Sequence, residues 1–346
     1  MRKYHPLREL LLGRLREFMR EPETVFWAYG FPLLLVLGLG IAFRNQPVEK
    51  VYVDVQQDGG AAPVMAESLR KSPNLVVEVH SAEECRNRLR LGKSSIMVIP
   101  GDTTRFLFDP TRAESVLARQ RVDDVLQRAA GRRDPVATRE DHLTEPGSRY
   151  IDFLVPGLLG MNLLGSGMWG VGYAIVDMRV RKLLKRFIAT PMKRADFLWS
   201  MVGARLVFLV PELVILLGAG ALFFGIMIKG SVFSILALAL LGAVTFSGLG
   251  LLVASRAQRI ETVSGLMNLV QLPMWLFSGI FFSADRFPGV LQPLVQSLPL
   301  TQLNNALRAV ILEGASLESQ GWRLAILAAW GGISFLCALR WFRWNS

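Results

Sequence analysis

The chain has 346 residues, of which 51% are hydrophobic, with a mean hydropathy of +0.35 and a formal charge of +11. Its length would allow two or three soluble domains, but long uncharged apolar runs exclude that and indicate a polytopic membrane protein. The pI near 10.2 does not imply nucleic acid, because Lys and Arg cluster beside the apolar runs, where the cytoplasmic ends of spans carry them.

Residues 1–24 read as a cytoplasmic interfacial helix. Leu7, Leu10, Leu11, Leu15 and Phe18 fall in one arc, with Glu9, Arg16, Glu17 and Arg20 largely opposite. Pro22 breaks this helix, and residues 25–44 contain a first span, Val25 to Phe43. Six basic residues precede that span (Arg2, Lys3, Arg8, Arg14, Arg16 and Arg20), whereas Arg44 follows it closely and alone, so the N-terminus is expected in the cytoplasm. The span should remain as a signal anchor, because no small-residue cleavage site follows it.

Residues 45–149 change character. VEKVYVDVQQD, NLVVEVHS, SSIMVIP and the weaker RFLFD are strand-like, while Ala61 to Lys71, Ala82 to Leu91 and Glu114 to Ala130 are helical. This predicts a small extracytoplasmic α/β domain with helices on one face of a sheet.

Residues 150–346 are nearly all membrane. Further spans are predicted at Ile151–Val176, Phe197–Ile228, Ser231–Ala254, Val263–Phe282 and Trp322–Trp341, giving six in all and both termini in the cytoplasm. Residues 283–320 carry Pro288, Pro293 and Pro299 and read as an extracytoplasmic re-entrant or surface helical hairpin, whose backbone protein must cover. Residues 177–194 form a basic amphipathic pattern. Val180, Leu183, Leu184 and Phe187 fall on one side, Arg179, Arg181, Lys182, Lys185 and Arg186 on the other, and Pro191 ends it. Such a segment suits docking of a partner, although its charges alone would also serve orientation.

Few motifs carry chemistry. Gly165, Gly167 and Gly170 match G-x-G-x-x-G, but no strand precedes them, so these small residues are read as a helix-packing or dimer face. Leu91-Gly92-Lys93-Ser94 lacks the first glycine of a phosphate loop, and no complete Walker A sequence occurs, so ATP hydrolysis is expected elsewhere. His5, His80 and His142 are scattered and predict no metal site, and Cys85 and Cys337, in different compartments, predict two free thiols. Asp152 is expected hydrated near a span end. Arg205 and Glu212, seven residues apart in the third span, should point into the bundle, either neutralising each other or lining a substrate route, with Pro211 bending the helix between them.

REPETVFW, LLKRFIATPMKR, FSGIFFSADRFP and SLPLTQLNNALRAVILEG, in this order and spacing, resemble the permease subunit of ABC-2 type exporters with a large extracytoplasmic domain after the first span. The resemblance covers essentially the whole chain. It implies a coupling helix at 177–194, with Arg181, Lys182, Leu184, Lys185, Arg186, Phe187, Thr190 and Pro191 docking on a separate ABC ATPase that uses ATP and Mg. It further implies a non-catalytic subunit holding no cofactor, paired with a second permease chain as a homodimer in the cytoplasmic (inner) membrane among its lipids, with no nucleic acid partner. The export of a lipid, drug-like or polysaccharide-type substrate follows from the same resemblance. Family members often carry Glu and Gly where this chain has Val180, Lys182 and Lys185. The alternative is a non-transporting receptor or assembly factor whose external domain binds a ligand.

Overall fold

The computed structural model describes residues 6–44, 50–57, 60–133, 135–136, 149–183 and 194–341. The chain divides into two compact units, one of Met1–Arg44 with Thr144–Ser346 and one of Asn45–Leu143.

The first unit is helical. Among the described residues, five helical stretches are long and apolar enough to cross a membrane: Pro22–Phe43 (α2), Tyr150–Val180 (α6), Gly203–Phe224 within the longer α7 (Arg194–Phe224), Val232–Ala254 (α8), and Glu318–Trp341, which holds the α-helix Gly321–Trp341 (α12). The expected sixth, Val263–Phe282, is instead an 18-residue helix, α9 (Ile260–Phe277), which falls short of that apolarity because it carries Glu261, Asn268 and Gln271. Its chain turns at Gly279, where φ of +69° suits glycine. The third span also ends early, at Phe224, because Gly225 takes φ of +63°.

Burial separates these helices. The apolar stretch of α6 is 83% buried against 17% for α2 and 22% for the last span, so α6 is the axis of the bundle. Glycine allows this. A side chain at Gly172 would collide with the Gly250 carbonyl of α8, and one at Gly167 would meet Phe246 Cβ at 2.7 Å. Of the three glycines read as a helix-packing or dimer face, Gly167 packs against α8 within the chain, Gly165 is bordered by Gln271, and Gly170 is exposed and open.

The helix α1 (Pro6–Arg20) packs on protein through Phe18, whose ring stacks on Phe208 of α7 at 4.0 Å. Residues 283–320 form a 3-10 turn at Ala284–Arg286, then α10 (Gln292–Ser297) and α11 (Pro299–Glu313). Leu300, Leu303, Leu307 and Val310 of α11 are fully buried in the bundle core, so protein covers this backbone. Gly314, left-handed at φ +72°, closes α11 as a C-terminal cap.

Contacts sort the helix ends into two levels. At one level Phe43 meets Tyr150 at 4.5 Å, the Tyr150 hydroxyl donates to Phe281 O, Arg149 donates to Gly225 O, and Lys229 N donates to Ile311 O. At the other, Arg179 donates to Ala254 O at 2.9 Å, and the Arg256 guanidinium lies 5.8 Å from the Trp341 ring centre.

The second unit holds a four-stranded sheet, β1 (Val51–Gln56), β2 (Leu75–His80), β3 (Ile96–Ile99) and β4 (Arg105–Leu107), in the order β2-β1-β3-β4. β1 runs parallel to β2 and β3, and β4 is antiparallel to β3. Val53 and Val55 pack with Val77, Ile96 and Val98 against Ala66 and Leu69 of α3 (Ala61–Arg70) and Ala118 and Val122 of α5 (Ala113–Ala129). Asp54 has the opposite strand parity and takes Arg88 of α4 (Ala82–Arg90). Helices thus cover both faces of the sheet, not one as the alternation suggested.

Candidate functional site

The Arg205 and Glu212 side chains meet directly, Nη2 to Oε2 at 2.7 Å, at 6% and 2% exposure. Two turns of α7 separate them, and the helix continues through Pro211, so the long arginine reaches along its own face. The second carboxylate oxygen of Glu212 accepts from Asn162 Nδ2 on α6 at 2.8 Å, and that amide also donates to Ala28 O in α2 at 3.1 Å. Ser166, one turn beyond Asn162, accepts from Arg205 Nη2 and donates to Asn162 O at 2.6 Å. Tyr29 of α2 donates to Phe208 O at 3.2 Å. One carboxylate, one guanidinium and one amide therefore tie three helices together where water is excluded. Both ends of α2's link fall in or beside its π turn, Phe26–Gly30, which offsets the local ladder.

Of this set, the sequence pointed to Arg205 and Glu212 and missed Asn162 and the hydrogen-bonding role of Ser166. Their four-residue spacing on a glycine-rich span was the available signal. Asp152, expected hydrated, is buried and held by Arg149 through paired contacts of 3.0 Å, as the N-terminal box of α6. A second link involves α9, where Trp169 Nε1, from within the π turn Met168–Tyr173, donates to Gln271 Oε1 at 2.8 Å.

The basic helix does not begin at Asp177. Asp177–Val180 is the last turn of α6, Arg181 pairs with Asp177 at 2.9 Å, and Lys182 takes φ of +59°, which turns the chain. Arg179, placed on the charged face from its spacing, is 4% exposed and donates to the carbonyls of Ala254, Ser255 and Ala257 at the end of α8. Val180, placed on the apolar face, is exposed. Leu184, Lys185, Arg186, Phe187, Thr190 and Pro191 lie outside the described residues.

His80 does meet carboxylates, contrary to its isolation in the sequence. Donor atoms of Asp54, Glu78 and His80 lie within 4.8 Å of one another, but Arg88 binds Asp54 at 3.0 Å and Glu78 at 2.5 Å, filling the cluster with its own charge. The hydrogen bond from His80 and the nearby Arg88 charge hold the Glu78 carboxyl below its ordinary range.

Residues 22–340 match the family described as ABC-2 family transporter protein. ABC transporter G family member 20 of Dictyostelium discoideum is 25% identical over 193 residues, covering 55% of this chain and 26% of that protein. Inner membrane transport permease YadH of Escherichia coli K12 is 27% identical over 166 residues, 47% of this chain and 63% of that protein, and the Shigella flexneri protein of the same name gives the same values. The chain thus spans 26% and 63% of the lengths of these relatives. The family match runs from the start of α2 to the end of α12 and includes the buried network, so the chain belongs to the ABC-2 family of transporter proteins.

Proposed function

We propose that this multi-pass membrane protein is the permease subunit of an ATP-driven exporter. The family match across 22–340 carries this reading, and the name of the YadH relative, inner membrane transport permease, agrees with it. ATP and Mg act on a separate ABC ATPase, docked by Arg181, Lys182 and the segment through Pro191. This chain then contributes the membrane route and no catalysis of its own. Arg179 links that segment to the end of α8, so a push on the segment reaches the bundle through a buried, three-carbonyl clamp. The Arg205, Glu212 and Asn162 network keeps α2, α6 and α7 moving as one body.

In this proposal α9 is the sixth span. It starts beside the Arg256 level and ends beside the Tyr150 level, and its 18 residues measure about 27 Å, close to the hydrocarbon thickness of about 30 Å. Six crossings leave both termini in the cytoplasm of an inner-membrane protein, with the α/β unit and residues 283–320 outside. Arg179, Arg181, Lys182, Arg256 and Arg259 then fall on the inner side, as the positive-inside bias favours. The functional complex is two such chains with two ATPase subunits, carrying a lipid, drug-like or polysaccharide-type substrate outward.

Co-purification with a Walker-type ATPase, followed by substrate-stimulated hydrolysis in vesicles, tests the proposal. Stable recovery of the chain alone, with no ATPase from its own cells and no transport, would favour the receptor or assembly role.

A further inference from the structure

A second polar seam lies apart from the Arg205 network. Thr301, Asn304 and Arg308 stand three and four residues apart on α11 and so share one face. That face meets Phe153, Gly157 and Gly160 of α6 and the turn Ser278–Ile280 after α9. Arg308 Nε donates to Phe153 O at 3.2 Å, its Nη2 to Gly279 O, and its guanidinium lies 3.5 Å from the Phe153 ring centre. Asn304 Nδ2 donates to Ser278 O at 3.0 Å. A side chain at Gly157 would meet Arg308 and Ile280 O at under 3 Å, and one at Gly160 would collide with Asn304 Oδ1, so both glycines exist to let the seam close.

The closed seam is poorly satisfied. Ser278 Oγ, Thr301 Oγ1 and Asn304 Oδ1 have no hydrogen-bond partner among the described residues, and all three residues are 0% exposed. Arg308, 9% exposed, makes its contacts to two carbonyls and a ring, and no carboxylate among the described residues pairs with it. Buried hydroxyls and amides left unmet carry their full desolvation cost, and a buried cation without an anion carries more. Apolar side chains in the same space would make a tighter bundle. A seam with one cation lacking an anion and two hydroxyls free to donate matches a ligand that brings negative charge and acceptor oxygens, and the unmet Asn304 Oδ1, an acceptor, takes a hydroxyl of the same ligand.

We propose that this seam is the head-group site of the permease, and that the substrate is an amphiphile with an anionic head bearing a phosphate or carboxylate. The site is open to its ligand when α11 parts from α6. Arg308 then supplies the fork of donors, Ser278 and Thr301 donate hydroxyls, and the amphiphile's chain runs along the apolar bundle. This deepens the permease reading and rests on it for transport, but not for binding.

The test uses the full chain in discs of zwitterionic lipid, without the ATPase. Binding of fluorescent lysophosphatidic acid and of a fatty acid is compared with lysophosphatidylcholine. The phosphate and carboxylate ligands should bind about tenfold or more tightly than the zwitterion, the size of one charge-assisted contact. Arg308→Gln should abolish that preference, and Arg308→Lys, which keeps a point charge without the fork, should retain part of it. Thr301→Val should raise the melting temperature while weakening anionic binding, a combination that a purely structural seam would not give. Equal binding of all ligands, or an anionic preference that survives Arg308→Gln, would overturn the site. A normal preference with no ATPase-driven transport would leave the site standing and remove the permease reading instead.

Discussion

Arg205 and Glu212 lie seven residues apart on one helix yet meet at 2.7 Å, and Asn162 joins their carboxylate to the neighbouring span. A carboxylate at 2% exposure depends on that guanidinium, and the guanidinium on it. Removing one partner strands the other charge at about 3–5 kcal/mol, whereas replacing both by apolar residues of similar volume is close to neutral. Glu212→Gln should therefore lower the melting temperature of the purified protein, and Arg205→Met with Glu212→Leu should recover most of it. Melting that is unchanged in Glu212→Gln, with transport lost, would assign Glu212 to the substrate route.

Glycines 167, 170 and 172 divide on structural grounds. Gly172→Val drives a branched side chain into the Gly250 carbonyl of α8, where backbone has to yield, at about 1–3 kcal/mol or more. Folded yield should fall sharply. Gly170→Ala meets nothing within 4 Å and should leave yield and melting unaltered. A loss of self-association in Gly170→Ala would assign Gly170 to an interface between copies.

The sequence was legible where one physical term dominates. Apolar length located the helices from Val25, Ile151, Ser231 and Trp322 because exclusion from water leaves little choice, and the β-branched runs around Val53, Val77 and Val98 read as strands, as β1, β2 and β3 are. It misled, or was silent, where a polar group is satisfied from far along the chain. Arg179 fits a charged helical face by its spacing but caps α8, 75 residues later, and nothing in the spacing of the 283–320 segment singles out Arg308, which sits under Phe153. The helix α9 read as a span by its flanks, but Asn268 and Gln271 lower its apolarity because Gln271 answers Trp169 inside the bundle. No local pattern reveals such partners.

In the α/β unit, burial and the nearby Asp54 charge push the Cys85 thiol up to about 11, so almost no thiolate exists at neutral pH. Cys85 is fully buried and should resist alkylation in native protein, reacting only on unfolding. Rapid native labelling would contradict this packing. Glu78 behaves oppositely, since its carboxyl is held below the ordinary value by His80 first and then by Arg88. A depressed carboxylate adds stability above its unfolded-state value and loses it as pH falls through the folded one. Amide protection of β1 and β2 should hold through mild acid and weaken once pH drops below the usual carboxylate range, as measured by hydrogen exchange on the whole chain.

The two levels of helix ends lead to a labelling pattern that decides how often the chain crosses the membrane. Met19 precedes α2, and Arg256 lies at the level where α8 and α12 end, so Met19→Cys and Arg256→Cys should be protected from an impermeant thiol reagent added outside. Val64 sits in the unit inserted after α2, and Val290, 91% exposed, follows α9 near the opposite level, so Val64→Cys and Val290→Cys should label readily. Each replacement needs Cys337 changed to Ser, and all four positions are exposed, so failure to react reports the membrane and not packing. The informative position is Val290. If α9 crosses despite its polar residues, Val290→Cys matches Val64→Cys. If it does not, Val290→Cys matches Met19→Cys, the chain crosses an odd number of times, and α10 with α11 belongs to the cytoplasmic side. Labelling of Met19→Cys together with protection of Val64→Cys would invert the whole arrangement and refute the charge bias that orients it.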